Sequence, residues 1–175
     1  SLQDLVSEKQ IYLRRNVRQM ISMYKPQKVY FLNDPDCIEL LREYYREFAA
    51  IMQPKFVLEK GMIRGDICRG LALYKYGGLY MDVDIESRLV VWPLLPVGTS
   101  FASVWEHGSQ DIFQSFLAAT PRHPIIQRYL DLFRIYYQGK LRDKINHKKG
   151  VVLLRMAYDQ VTSQSNSTWR STLQM

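Results

Sequence analysis

Apolar residues recur at helical spacing over residues 11–24, where Ile11, Val17, Ile21 and Tyr24 stand among arginines. Pro26 closes that segment, and Lys28-Val-Tyr-Phe-Leu32 has the short apolar run of a buried strand. Asp34-Pro35 then signals a helix start, with an acid at the cap and proline at the first helical position. Ile38, Leu41, Tyr45 and Phe48 follow at three-to-four spacing and predict a helix from 35 to about 52. Gln53-Pro54 interrupts the pattern, and residues 55–58 read as a small strand or an extended link.

The next helix spans 63–76, with Ile67, Leu71 and Tyr74 on one side. Gly77-Gly78 caps it, where a left-handed residue is usual. Leu79-Tyr-Met81 reads as a strand, 86–91 as another extended piece, and the stretch of Pro93, Pro96 and Gly98 as loop. A strand is expected over 100–105, then helices over 111–119 and 125–137, separated by Thr120-Pro-Arg-His-Pro124. The apolar run 150–154 is too short to choose between strand and helix. After Ser163 the composition turns polar, so a fraying tail is expected over 163–175. Alternation of strands and helices predicts an α/β layered fold in one domain covering residues 1–175.

Composition sharpens this picture only in places. The 175 residues, 47% hydrophobic and 13% aromatic, suit a single domain with a real core and exclude a disordered chain. Twelve tyrosines suit sugar or base stacking and ordinary half-buried packing equally well. The net charge of +7 is compatible with nucleic acid, an anionic membrane surface or a phosphate-bearing substrate. Its basic residues are scattered, though, and the densest run, Asn146-His-Lys-Lys149, is short, so a solvated basic face is the simpler reading. Cys37 and Cys68 show neither metal spacing nor a disulfide framework; free thiols are the expectation, with a disulfide left open. No stretch reaches the ~18 apolar residues of a membrane span, and no signal peptide is visible. The chain starts at Ser1 and so is compatible with a piece of a longer protein carrying its anchor or further domains elsewhere. Asn166-Ser-Thr168 matches a glycosylation sequon, meaningful only in a secretory lumen.

Candidate chemistry concentrates in Arg64-Gly-Asp66-Ile-Cys-Arg69, the double glycine and Asp82-Val-Asp84. Two acids at i and i+2 of a strand share a face, and at a strand end they can hold a divalent cation with open positions for substrate oxygens. Asp66 and Arg69, at i and i+3, share one helix face. The plainer alternatives are surface acids at a strand end and a helix ion pair worth ~0.2–0.5 kcal/mol. A second Asp-x-Asp, Asp34-Pro-Asp36, is better explained as a helix cap.

Together these segments resemble the signature of the DXD-containing sugar transferases. The similar group is the one typified by the yeast initiation mannosyltransferase (glycosyltransferase family 32), with the glucosylating clostridial toxins more distantly alike. Further stretches agree, from the Val17 to Asp34 region to Gln114-Ser-Phe-Leu-Ala-Ala-Thr-Pro-Arg-His-Pro124, so the likeness spans residues 15–160. It implies a GT-A fold, Rossmann-like, with a mainly parallel sheet between helices and the nucleotide sugar over the C-terminal strand ends. By the same carry-over, Asp84 is the direct ligand of Mn²⁺ (or Mg²⁺), and Asp82 contacts the donor and approaches the metal. Asp66 and Arg69 hold donor sugar hydroxyls and diphosphate, and Gly78 joins the donor-binding set. Three places depart: Ser1–Gln10 lacks the family's opening strand, Gln114 stands for an Asn, and Gly150-Val151 stands for Gly-Pro.

The expected reaction moves a sugar from a UDP- or GDP-sugar to a hydroxyl of a glycan, glycoprotein or glycolipid. The metal offsets charge on the leaving diphosphate, with Arg69 assisting. Trp105-Glu106-His107 reads first as an ordinary loop and, as the alternative, as an acceptor-side one, and His123 reads as a structural turn residue. The rival readings are a non-catalytic nucleotide-sugar binder, a polyanion-binding basic domain, and metal-assisted phosphodiester hydrolysis. Acids at the centre of a nucleic-acid surface repel phosphate, which argues against that partner. The compartment is left as the Golgi or ER lumen for a eukaryotic chain and cytoplasm for a bacterial or viral one.

Overall fold

A computed structural model describes residues 10–141, 145 and 149–164. The helices are α1 (Ile11–Tyr24), α2 (Asp34–Tyr44), α3 (Ala49–Leu58), α4 (Gly61–Tyr76), α5 (Pro124–Tyr137) and α6 (Lys149–Gln164). Three short strands, β1 (Gly78–Met81), β2 (Phe101–Ala102) and β3 (Phe116–Ala119), form one sheet in the order β1-β3-β2. The chain is therefore mixed α/β. β2 and β3 run antiparallel, pairing Phe101 with Ala119 and Ala102 with Ala118, where a mainly parallel sheet is the expectation. A hairpin-like return from β2 to β3 needs no crossover helix, and none intervenes.

The chain packs as two compact units, one running through Phe31 and resuming over Met81–Thr99, the other comprising Leu32–Tyr80 and the residues from Ser100 on. In the first unit, one face of α1 takes the place of a strand ladder. Asn16 Nδ2 donates to the Val83 carbonyl (3.4 Å), Gln19 Nε2 to that of Ser87 (2.9 Å) and Tyr24 Oη to that of Leu89 (3.2 Å). Backbone carbonyls that do not join a ladder still take donors, and here side chains of α1 supply them. The extended piece expected over 86–91 forms no strand; its Ser87 and Leu89 carbonyls take these side-chain donors instead. Residues 28–32 likewise stay outside the sheet, with Val29, Tyr30 and Phe31 40%, 42% and 42% exposed instead of buried.

The second unit holds a continuous apolar core. α5 packs along α6 and against α4, and α2 packs on α4. Leu41, Met52, Phe56, Ile67, Leu117, Tyr129, Phe133 and Leu153 are fully buried, each worth ~1.5–3 kcal/mol relative to exposure. α2 begins one residue earlier than its acid-proline signal implies. Asn33 is the cap, its Oδ1 accepting from Asp36 N–H while Asp36 Oδ2 accepts from Asn33 N–H, both at 2.9 Å. The helix expected to 52 breaks at Tyr45, and residues 55–58 are helical, not extended. Pro54 sits within α3 because it and Ala50 lie on the exposed side, where water can take the carbonyl that proline leaves unbonded.

Gly77 shows why the double glycine is there. It ends α4 at φ 65°, and a β carbon on it would lie 2.5 Å from Pro121 Cδ. The stretch expected to be helical over 111–119 is a bridge at Ile112 followed by β3; Leu117, Ala118 and Ala119 are buried in the sheet, so tertiary packing overrides a short apolar pattern. Residues 150–154 resolve as part of α6. The two cysteines are joined, not free: Cys37 on α2 and Cys68 on α4 form a disulfide with Cα atoms 5.3 Å apart, within the usual span for such a bridge. The sequon and residues 165–175 of the polar tail lie outside the described residues, and no described helix is long and apolar enough to cross a membrane.

Candidate functional site

Helical periodicity puts Asp66 and Arg69 on the face of α4 that turns into the second unit. Asp66 Oδ1 and Arg69 Nη2 are 3.2 Å apart, with side chains only 7% and 9% exposed. This pair is buried, unlike the surface i,i+3 pair the spacing alone describes. Arg69 Nη1 donates to the Gln114 carbonyl at 2.6 Å, and its guanidinium lies 4.7 Å over the Tyr80 ring of β1. Tyr129 on α5 donates from its hydroxyl to the Asp66 carbonyl and accepts from Gln114 Nε2, both at 3.2 Å. Burial, with the Asp66 carboxylate second, pushes the Tyr129 hydroxyl well above its ordinary range, so it stays protonated. Gly150 on α6 closes the cluster, since a β carbon there would collide with the Asp66 carboxylate.

In the first unit, β1 ends at Met81 and the two acids follow on a turn. Ile85 N–H donates to the Asp82 carbonyl at 3.1 Å. The acids are therefore i and i+2 of a turn, not of a strand. Asp84 is exposed and Asp82 half-buried. Asn16, itself 8% exposed, holds the turn through the carbonyl of Val83, the residue between them. Gly78, at φ 92°, heads β1 with open space where a β carbon would be.

Among the described residues no group of three or more His, Cys, Asp and Glu is arranged to hold a metal. Two hard carboxylates on an exposed turn do not fit a closed structural site. They do fit Mn²⁺ or Mg²⁺ that draws the rest of its shell from water and a ligand's phosphate oxygens.

The remaining sequence candidates separate clearly. Trp105 carries the guanidinium of Arg155 at 5.0 Å and meets Tyr158 edge-on at 5.6 Å, so α6 holds it. Glu106 accepts from Ser109 Oγ at 3.4 Å, and His107 is exposed. His123 caps α5: its Nδ1 accepts from Ile125 N–H at 3.2 Å, which leaves Nε2 to carry the proton facing Ser100 Oγ at 3.3 Å. That tautomer cannot deprotonate the serine. Burial lowers the His123 pKa to about 4.

A comparison with known families decides the broad class. Glycosyltransferases with a sugar-binding region containing a DXD motif match residues 12–103, more than half of the chain. The chain belongs to this family. No curated protein matches it. The family match covers α1 through β2 and includes Asp66, Arg69, Asp82 and Asp84. Gln114, Tyr129 and Gly150 lie beyond it. Spacing gave no signal for Tyr129 or Asn16, because tertiary packing alone brings them to the acids. Gln114 and Gly150 stood out only as departures from the family pattern.

Proposed function

We propose that the chain is a metal-dependent glycosyltransferase domain of the GT-A type, similar to the family 32 enzymes. It would transfer a sugar from a UDP- or GDP-sugar to a hydroxyl of a glycan, glycoprotein or glycolipid. The observation that carries this reading is the exposed Asp82–Asp84 turn inside the family's DXD region. Asp84 is the direct metal ligand in this reading, with Asp82 beside it. The cation, when bound, supplies Lewis-acid stabilisation to a departing diphosphate.

The chain's own residues do the positioning. Asn16 fixes the turn by its bond to the Val83 carbonyl. Asp66 and Arg69 form a buried, restrained polar pair within the second unit, because the carboxylate, the Gln114 carbonyl and the Tyr80 ring all hold the guanidinium. In this reading a pre-oriented guanidinium stabilises developing negative charge without reorganising. Gly78 leaves the head of β1 open for a donor's close approach. The disulfide supports an oxidising compartment such as a secretory lumen. Incubation with UDP- and GDP-sugars, Mn²⁺ and a mixed glycan acceptor should release free nucleotide diphosphate in an EDTA-sensitive manner. Release that is indifferent to EDTA would remove the metal from the reading.

A further inference from the structure

A cavity of about 590 Å³ opens on the second unit, lined by residues of α2, the turn Arg46–Phe48, α4, Arg122 and one side of α5 from Gln127 to Arg134. It shares no residue with the Asp66–Arg69 cluster. Its volume is in the range of small-ligand sites. Leu40, Tyr45 and Leu71 form an apolar floor. Tyr44 stands edge-on to Tyr45 and to Tyr74, with ring centroids 4.6 and 4.8 Å apart, so the aromatic wall is held rigidly. The Tyr44 hydroxyl donates to the Gln127 carbonyl at 3.3 Å. Burial first, and the Asp131 carboxylate second, keep that hydroxyl from ionising.

The rim is charged, and two of its cations are satisfied internally. Lys75 pairs with Glu43 at 2.5 Å, and Arg134 lies over Phe48 at 4.6 Å with Asp131 3.9 Å away. Arg46, Arg122 and Glu47 have no ion-pair partner among the described residues. Arg122 is also held in a left-handed conformation at φ 57°, its N–H donating to the Tyr74 carbonyl at 2.8 Å. Its backbone is thereby tied to the aromatic wall.

We propose that this cavity binds an acidic saccharide. A pyranose has an apolar C–H face suited to a tyrosine ring and hydroxyls suited to alternating carboxylates and guanidiniums. A carboxylate, sulfate or phosphate on the sugar matches the forked donors of Arg46 and Arg122. The choice of a saccharide rests on the glycosyltransferase reading, whereas the selection for negative charge rests on the two arginines.

The test uses a printed array of neutral, sialylated, sulfated and phosphorylated glycans, read at 150 mM salt in EDTA without donor. Four proteins are compared: the native chain, Arg46→Ala/Arg122→Ala, Arg15→Ala/Arg18→Ala and Asp84→Ala. All four arginine positions are exposed, so folding should survive, and thermal melts check it. Acidic glycans should be retained by the native chain, by Asp84→Ala and by the Arg15/Arg18 variant, and bind at least tenfold more weakly to the Arg46/Arg122 variant. An equal loss in both arginine variants would mean general attraction to polyanions and overturn the site. So would neutral glycans bound as well as acidic ones, or an empty array. Separate titration of UDP- and GDP-sugars with Mn²⁺ distinguishes the failures. Donor binding with an empty array sinks the cavity proposal alone, and array binding without any donor binding sinks the transferase reading alone.

Discussion

Gly150 on α6 lies against the Asp66 carboxylate on α4, so closely that a β carbon at position 150 would also come within 2.9 Å of Asp66 Cβ. Two helices distant in sequence thus meet at the candidate site with no spare volume. Gly→Ala within a helix ordinarily gains up to ~1 kcal/mol. Here Gly150→Ala should instead cost about 1–3 kcal/mol through overpacking, lowering Tm by roughly 2–12 °C. A stabilised variant in a thermal melt would contradict the contact.

Arg69→Met removes the cation that Asp66 faces and a donor from the Gln114 carbonyl. Removing one member of this buried ion pair should cost about 3–5 kcal/mol in urea unfolding. The double variant with Asp66→Asn should lose less than the two single losses summed, because the pair acts as a unit.

The Cys37–Cys68 disulfide closes a separation of 31 residues and clamps α2 to the helix bearing Asp66 and Arg69. Chain-entropy reasoning gives it about 3–4 kcal/mol. Thiol titration of the unfolded protein should find no free thiol before reduction and two afterwards, and reduction should lower the urea midpoint. Two thiols before reduction would remove the bridge.

His123 gives a pH dependence of definite sign. Its folded pKa of about 4 lies below the ordinary 6.5, so the unfolded chain binds the proton first. Its contribution is fully present above pH 6.5 and is lost as pH falls toward 4, by about 1–3 kcal/mol. His123→Asn keeps a cap acceptor for Ile125 N–H and should flatten stability between pH 6.5 and 4. An unchanged slope in that variant would place the dependence elsewhere.

Much of the helical frame was legible in sequence because it is amphipathic or capped by local chemistry. α1, α4 and α5 follow the apolar spacing closely, and Gly77 ends α4 as its composition implies. The strands were less legible. Residues 28–32 have strand composition, yet composition supplies no ladder. The short apolar pattern of 111–119 reads as a helix, yet Phe116–Ala119 is a strand because it pairs with β2. At the candidate site, Asp66, Arg69, Asp82 and Asp84 stand out from spacing and resemblance. The burial of the first two, the turn under the second two, and the parts of Asn16 and Tyr129 arise from packing, which spacing does not encode. The Cys37–Cys68 bridge belongs with them, for it exists only because α2 packs on α4.

Calorimetric titration of UDP- and GDP-sugars, with Mn²⁺ and with EDTA, on the native chain and on Asp84→Ala bears most directly on the metal-dependent donor site. Asp84 is exposed, so its substitution should leave the fold intact. One nucleotide class should bind in Mn²⁺, bind far more weakly in EDTA, and lose its metal-dependent binding in Asp84→Ala. Equal binding by the two proteins in Mn²⁺, or no dependence on the metal, would contradict a role for the Asp82–Asp84 turn in holding the donor.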